Sequence, residues 1–332
     1  MAITAVTAAD PVVELESFSR IENVDLSKLV DGEIAAQRGA LMEFPRGLSV
    51  EACFVVKRTP AETMEQMRTW DASPHEDLKL YFHKAIQSPA KMEDFQEMKL
   101  ERALPAFRWL VEKTAAISSD RNALQISRKD LTKASEWLGK GRAPAEGAAQ
   151  FWKKLLLTKT IDFQEKGLKG DFTYDFENEP IWVENELQSL LAESPVVEKR
   201  FHSFLSQTPL VKGAPFPAAS YDWELLDISG HAAFNLGAFY MKEIEPGHYQ
   251  GLDCTYYSSS GIYASFTLIE VWPVQIAGAP ASLVWEEDVV SAPSLATVHG
   301  VERMASGKVM LQEFKESLRY FCEDIQKHQG IP

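Results

Sequence analysis

The chain carries none of the short signatures that mark a catalytic centre. It has no G-x-S-x-G, no G-x-x-x-x-G-K-[ST], no G-x-G-x-x-G and no H-E-x-x-H. That excludes the usual nucleophile elbow, phosphate loop, dinucleotide turn and zincin helix. There is no C-x-x-C pair, and the three cysteines (Cys53, Cys254 and Cys322) are far apart and odd in number. A structural zinc site is therefore not expected, and the cysteines read as reduced thiols packed among apolar neighbours. The seven histidines never pair at i,i+4. Long basic runs are missing too: "EKRFH" and "KRT" are short, and the formal net charge is −14. A nucleic-acid partner is not expected, since phosphate backbones require basic stripes. No apolar run is long enough for a transmembrane segment. No cofactor and no metal are implied.

What remains is ordinary globular composition: 332 residues, 45% hydrophobic and 25% charged. That is enough for a sizeable core. The start, "MAITAVTAADP", resembles the tail of a secretory signal, with Val6-Thr7-Ala8 as a small-residue cleavage site. It lacks a basic n-region and a full h-region. A trimmed export signal and a loose N-terminus both fit, so periplasmic or secreted and cytoplasmic locations both stay open. Residues 1–22 are taken as a lead-in and residues 23–332 as one domain.

"GLSVEACFVVK" (47–57) is rich in strand formers and runs straight into a helix start. Thr59 sits at the N-cap, Pro60 at N1 and Glu62 at N3, which is a capping box with proline where proline is favoured. From about 88 to 206 the pattern is mainly helical, with Ser88-Pro89 opening one helix and Ser127 and Asp130 forming a second capping box. After the Pro- and Gly-rich "TPLVKGAPFPAAS" the texture turns to strands: "YDWELLDIS", "HAAFNLGAFYMKEI", "QGLDCTYYSSS", "GIYASFTLIEVWPV" and "ASLVWEEDVV". Both faces of the fourth are apolar or small, so both are expected to be covered. Turns such as "EPGHYQG" and "AGAPA" predict antiparallel pairing. The chain closes with an amphipathic helix whose apolar stripe runs through Met304, Leu311, Phe314, Leu318, Phe321 and Ile325. The expected class is α+β: a curved antiparallel sheet wrapped on a long C-terminal helix, with a mainly helical insertion.

On "CFVVKRTPAETMEQM" and "LVWEEDVV…MASGKVMLQEFKESLRYF", the chain resembles the START-related superfamily of helix-grip proteins, which includes lipid-transfer domains, polyketide cyclases and the birch-pollen allergen family. The resemblance covers the two ends of the chain. It implies an apolar cavity between sheet and terminal helix, holding a hydrophobic small molecule or lipid. The 88–206 segment would then be an insertion acting as a lid.

Candidate lining residues are the strand aromatics Trp223, Tyr240, Tyr256, Tyr263, Phe266, Trp272 and Trp285, with Arg303 at the mouth. An aromatic strand face equally suits plain core. Acid–base candidates are His299, Glu270 and Asp288. Glu286 and Asp288 share one strand face; Trp285 and Glu287 share the other. A salt-bridged loop tying helix to sheet is the plainer reading of the "TVHGVER" approach. A buried Glu270 would need a partner such as Arg46 or Arg303. "SPHEDLKLYFH", with His75 and His83, reads as a solvated loop leading into a strand, where a metal would need ligands from elsewhere. The function expected is noncatalytic binding or carriage; an enzyme using the same cavity and an interaction protein with a solid core are the alternatives.

Overall fold

Asp10 and Pro11 carry a helix-start signal. The Asp10 side chain accepts from Val12 N at 2.9 Å, and Pro11 takes the first helical position. The computed structural model describes residues 10–101, 104–117, 123–139, 141–176, 179–194, 196–211 and 218–327. The Val6-Thr7-Ala8 cleavage site lies outside them. The expected loose lead-in is instead helix α1 (Pro11–Phe18), held down by the fully buried Leu15.

α2 (Leu26–Val30), β1 (Ala35–Arg38), β2 (Gly47–Val56) and α3 (Pro60–Thr69) follow, then β3 (Leu80–Ile86). The helical stretch contains α4 (Pro105–Ala115), α5 (Arg128–Leu131), α6 (Ala134–Leu138) and α7 (Pro144–Lys166). It continues with a small hairpin of β4 (Thr173–Phe176) and β5 (Glu179–Trp182), then α8 (Val183–Glu193) and α9 (His202–Leu205). Five long strands complete the sheet: β6 (Ser220–Ile228), β7 (His231–Glu245), β8 (His248–Ser258), β9 (Ala264–Ile276) and β10 (Ala279–Ser291). α10 (Gly300–Lys327) ends the chain. Ser88–Pro89 does not open a helix. That peptide is cis, and the next turn is the short 3-10 segment Met92–Phe95.

The fold is α+β. One antiparallel sheet of eight strands runs in the order β1-β2-β10-β9-β8-β7-β6-β3. The last strand therefore sits beside the first long one, and the remaining strands step outward to β3. Side chains alternate between the two faces. On one face, Val50, Ala52, Phe54 and Val56 of β2 meet Phe314, Leu318, Phe321 and Ile325 of α10, with Met64 of α3 alongside. Met304 is exposed, so the stripe of the terminal helix packs only along its later turns. On the other face, the helical segment and α1 bury a larger core around Phe151, Trp152, Trp223, Phe234 and Trp285. The sheet is thus covered on both faces, as the two apolar faces of β9 required. The helical segment covers the face turned away from α10, so it is a second layer and not a lid over the α10 side.

The capping box at the β2–α3 joint is formed in full: Glu62 N donates to Thr59 Oγ1 at 3.4 Å and Thr59 N to Glu62 Oε2 at 3.0 Å. Thr59→Ala is expected to cost about 1 kcal/mol in urea unfolding, with Thr59→Ser retaining most of the parent stability.

Candidate functional site

The face of the sheet that carries α10 changes character away from β2. Register places Asp288 of β10 opposite Thr267 of β9, Thr267 opposite Asp253 of β8, and Asp253 opposite Phe239 of β7. Strand alternation puts Glu286 on the same face as Asp288, and Thr255 on the same face as Asp253. In the next row Gly237 of β7 pairs with Thr255 and with Asp222 of β6. One step further, Asn235 pairs with Glu224, and Glu224 with His83 of β3. Five carboxylates and one imidazole therefore share one sheet face beside α3 and α10. Thr267 Oγ1 donates to Asp288, and His83 Nδ1 lies 3.1 Å from Glu224 Oε1.

Asp253 keeps solvent access although it sits in a central strand. Protein nonetheless surrounds it closely enough that burial is the main force raising its carboxyl well above the usual range. The charges of Asp222, Glu224 and Asp288 push the same way. Burial likewise raises Glu286, helped by Asp288 and Asp253, and raises Asp288 against its Thr267 hydrogen bond. Asp222 is raised by burial and then by Glu224, with His83 acting in the opposite direction. Burial opposes the charged form of His83. The Glu224 hydrogen bond and the fields of Glu224, Asp222 and Asp71 outweigh that and push it up to about 9. Among the described residues, the only ion pair in this set is His83 with Glu224. The carboxylates thus stand close together with little to balance them.

The opposite face holds charges of another kind. Glu270 has no exposed surface, and both its oxygens lie 2.9 Å from Arg200 Nε. His248 Nε2 is 2.8 Å from Glu270 Oε1. Arg200 Nη2 reaches both Glu270 and Glu14, and Trp272 Nε1 donates to Glu14 Oε2 at 3.1 Å. The partner of Glu270 is therefore Arg200. Arg46 instead pairs with Glu186. Arg303 spends its donors on the carbonyls of Phe44, Pro45 and Gly47, tying α10 to the loop before β2.

The three acid–base candidates do not converge. Glu270 lies on the far face, Asp288 on the α10 face, and His299 is exposed just before α10. The aromatic candidates all lie on the face turned away from α10, in the core shared with the helical layer. Tyr256 stacks on Phe163 at 3.8 Å, and Trp223 Nε1 donates to Asp94 O at 3.0 Å. Trp285 Nε1 donates to Glu51 Oε2 at 3.1 Å, and Trp272 is held by Glu14. Tyr240, Tyr263 and Phe266 are buried with them. An open pocket of about 440 Å³ at the β3 edge, lined by Phe82, Glu97, Lys99 and Glu101, shares no lining residue with the acidic rows.

Sequence reasoning passed over Asp222, Glu224 and Asp253. The signal was present in "YDWELLDIS", where Asp222 and Glu224 alternate with Tyr221, Trp223 and Leu225. Reading that acidic face together with Asp253 and Asp288 requires the register of strands far apart in sequence. No protein-family model matches the chain, and no curated protein matches it. No helix among the described residues is long and apolar enough to cross a membrane.

Arg200→Met leaves Glu270 buried beside His248 alone, and should destabilise the fold by about 3–5 kcal/mol in chemical unfolding. Glu287, on the far face, is only 4% exposed and sits directly opposite Glu51. Burial, then Glu51, pushes its carboxyl up to about 7 from an ordinary 4.5. The native state then holds a proton that the unfolded chain releases, so stability falls as pH rises between those values. Glu287→Gln should remove that part of the fall. Thermal unfolding should show its advantage over the parent growing from pH 5 to pH 8, and a constant difference would contradict the assignment.

Proposed function

We propose that the protein binds a small organic cation, an amine with an apolar body, in the cleft between the sheet and the C-terminal helix. The observation that carries this reading is Asp253: a solvent-accessible carboxylate in a central strand, flanked by Phe239 and Thr267, with Asp288 and Asp222 near and, among the described residues, no basic side chain paired to it. Carboxylates held in a partly desolvated cleft favour an incoming positive charge, because each is destabilised by its like-charged neighbours. Phe239 supplies an apolar surface beside that charge, and a pocket with few polar groups on an apolar wall suits a small molecule. The order of elements supports a START-related helix-grip origin: a strand into a capped helix, then antiparallel strands, then a long terminal helix beside the first long strand. The place of binding is then the one expected of such a protein. The ligand's charge is where this reading departs from a purely hydrophobic cargo.

The test is calorimetric titration of the full chain with spermidine, an alkyl-trimethylammonium and a fatty acid. The amines should bind and weaken with added salt. Asp253→Asn should lower their affinity about tenfold, a loss near 1.4 kcal/mol. Tight binding of the fatty acid alone, or amine binding unchanged in Asp253→Asn, overturns the reading.

A further inference from the structure

At the β3 end of the acidic face, His83, Asp222 and Glu224 bring one imidazole nitrogen and two carboxylate oxygens within 4.8 Å of one another. Ligands held about 2.0–2.2 Å from a transition ion stand at most about 4.4 Å apart when opposite and closer when adjacent, so a small side-chain rotation suffices to close the set. All three residues project from paired strands, which fixes their backbones relative to one another.

Two further observations point to an occupant. Asn235 is the direct cross-strand neighbour of Glu224 and shares its face. It is only 7% exposed, and its Oδ1 has no hydrogen-bond partner. A buried amide oxygen without a partner is costly, and here it belongs to the cross-strand neighbour of Glu224. Gly237 lies directly opposite Asp222, where an added Cβ would come within 2.6 Å of Asp222 Oδ1. The glycine therefore keeps clear the space that the Asp222 carboxylate uses.

The geometry points to a divalent transition-metal site formed by His83, Asp222 and Glu224, with Asn235 Oδ1 as a further oxygen donor. One imidazole with carboxylate and amide oxygens suits Zn²⁺ or Mn²⁺ better than Mg²⁺, which prefers oxygen alone. The comparable cluster of Glu14, His248 and Glu270 on the other face is not equivalent. There the guanidinium of Arg200 already bonds both carboxylates. On the α10 face no arginine or lysine among the described residues pairs with the cluster. The metal site does not rest on the organic-cation reading. Its ligands come from β3 and β6, whereas that reading turns on Asp253 in β8.

The experiment uses the full chain, stripped with EDTA and titrated with Zn²⁺ by calorimetry. Co²⁺ is added in parallel, because its visible spectrum reports a nitrogen ligand. One equivalent should bind. His83→Gln and Asp222→Asn should each lower affinity by more than about tenfold, and His83→Gln should also change the Co²⁺ spectrum. Asn235→Ala should lower affinity by a smaller factor. Asp253→Asn, in the same acidic field but outside the ligand set, should lower metal affinity far less than either ligand variant while weakening amines. Circular dichroism checks each fold. If Asp222→Asn unfolds, His83→Gln carries the test, since it leaves every carboxylate in place. Absence of stoichiometric binding, parent-like affinity in both ligand variants, or an equal loss in Asp253→Asn overturns the site. The last would mark diffuse attraction by the acidic face.

Discussion

Glu270 sits in the middle of an eight-stranded sheet with no exposed surface, and an ionised carboxylate there must be matched by positive charge. Arg200 supplies the match and also reaches Glu14 in the first helix, while His248 Nε2 stands within hydrogen-bond distance of Glu270. One guanidinium therefore joins the N-terminal helix, the π-helical turn Val197–Phe201 and strand β9. Phe18 and Trp272 flank it at 5.3 and 5.9 Å, so the ion group is enclosed by aromatic surface. The helical layer is held on its face of the sheet by this pairing as well as by apolar packing.

The α10 face follows the opposite rule. Its carboxylates range from the buried Glu286 to the solvent-accessible Asp253, and Lys and Arg do not pair with them among the described residues. α10 packs over β2, where the sheet is apolar, while Asp253, Asp222 and Glu224 lie farther across the sheet. The same scaffold thus presents a closed charge network on one face and an open acidic floor on the other. Chain-supplied cations complete the first.

Much of the fold was legible because it depends on local signals. The Thr59–Glu62 box, the alternating strands and the stripe through Phe314, Leu318 and Phe321 each report interactions within a few residues. Asp10-Pro11 is an equally local start signal for α1. The candidate site was far less legible. The strand aromatics read equally as lining or as core, and which face they occupy depends on what covers that face. The 88–206 segment covers it, so Trp223, Tyr256 and Trp285 became core. His83 was seen with its own neighbours in sequence, and the ligands a metal would need there came from Asp222 and Glu224, well over a hundred residues away.

The chain's own order of residues decided the elements: strand into capped helix, helical middle, antiparallel strands, terminal helix. Those depend on period, propensity and capping, which act over one or two turns. It also decided that both sheet faces would be covered, since β9 is apolar on both. Only the tertiary structure decided which cover went to which face, and so which carboxylates met an arginine. Strand register did the rest. By setting β3, β6 and β7 side by side it gathered His83, Asp222, Glu224 and Asn235, and pairing between strands distant in sequence cannot be read from any one of them.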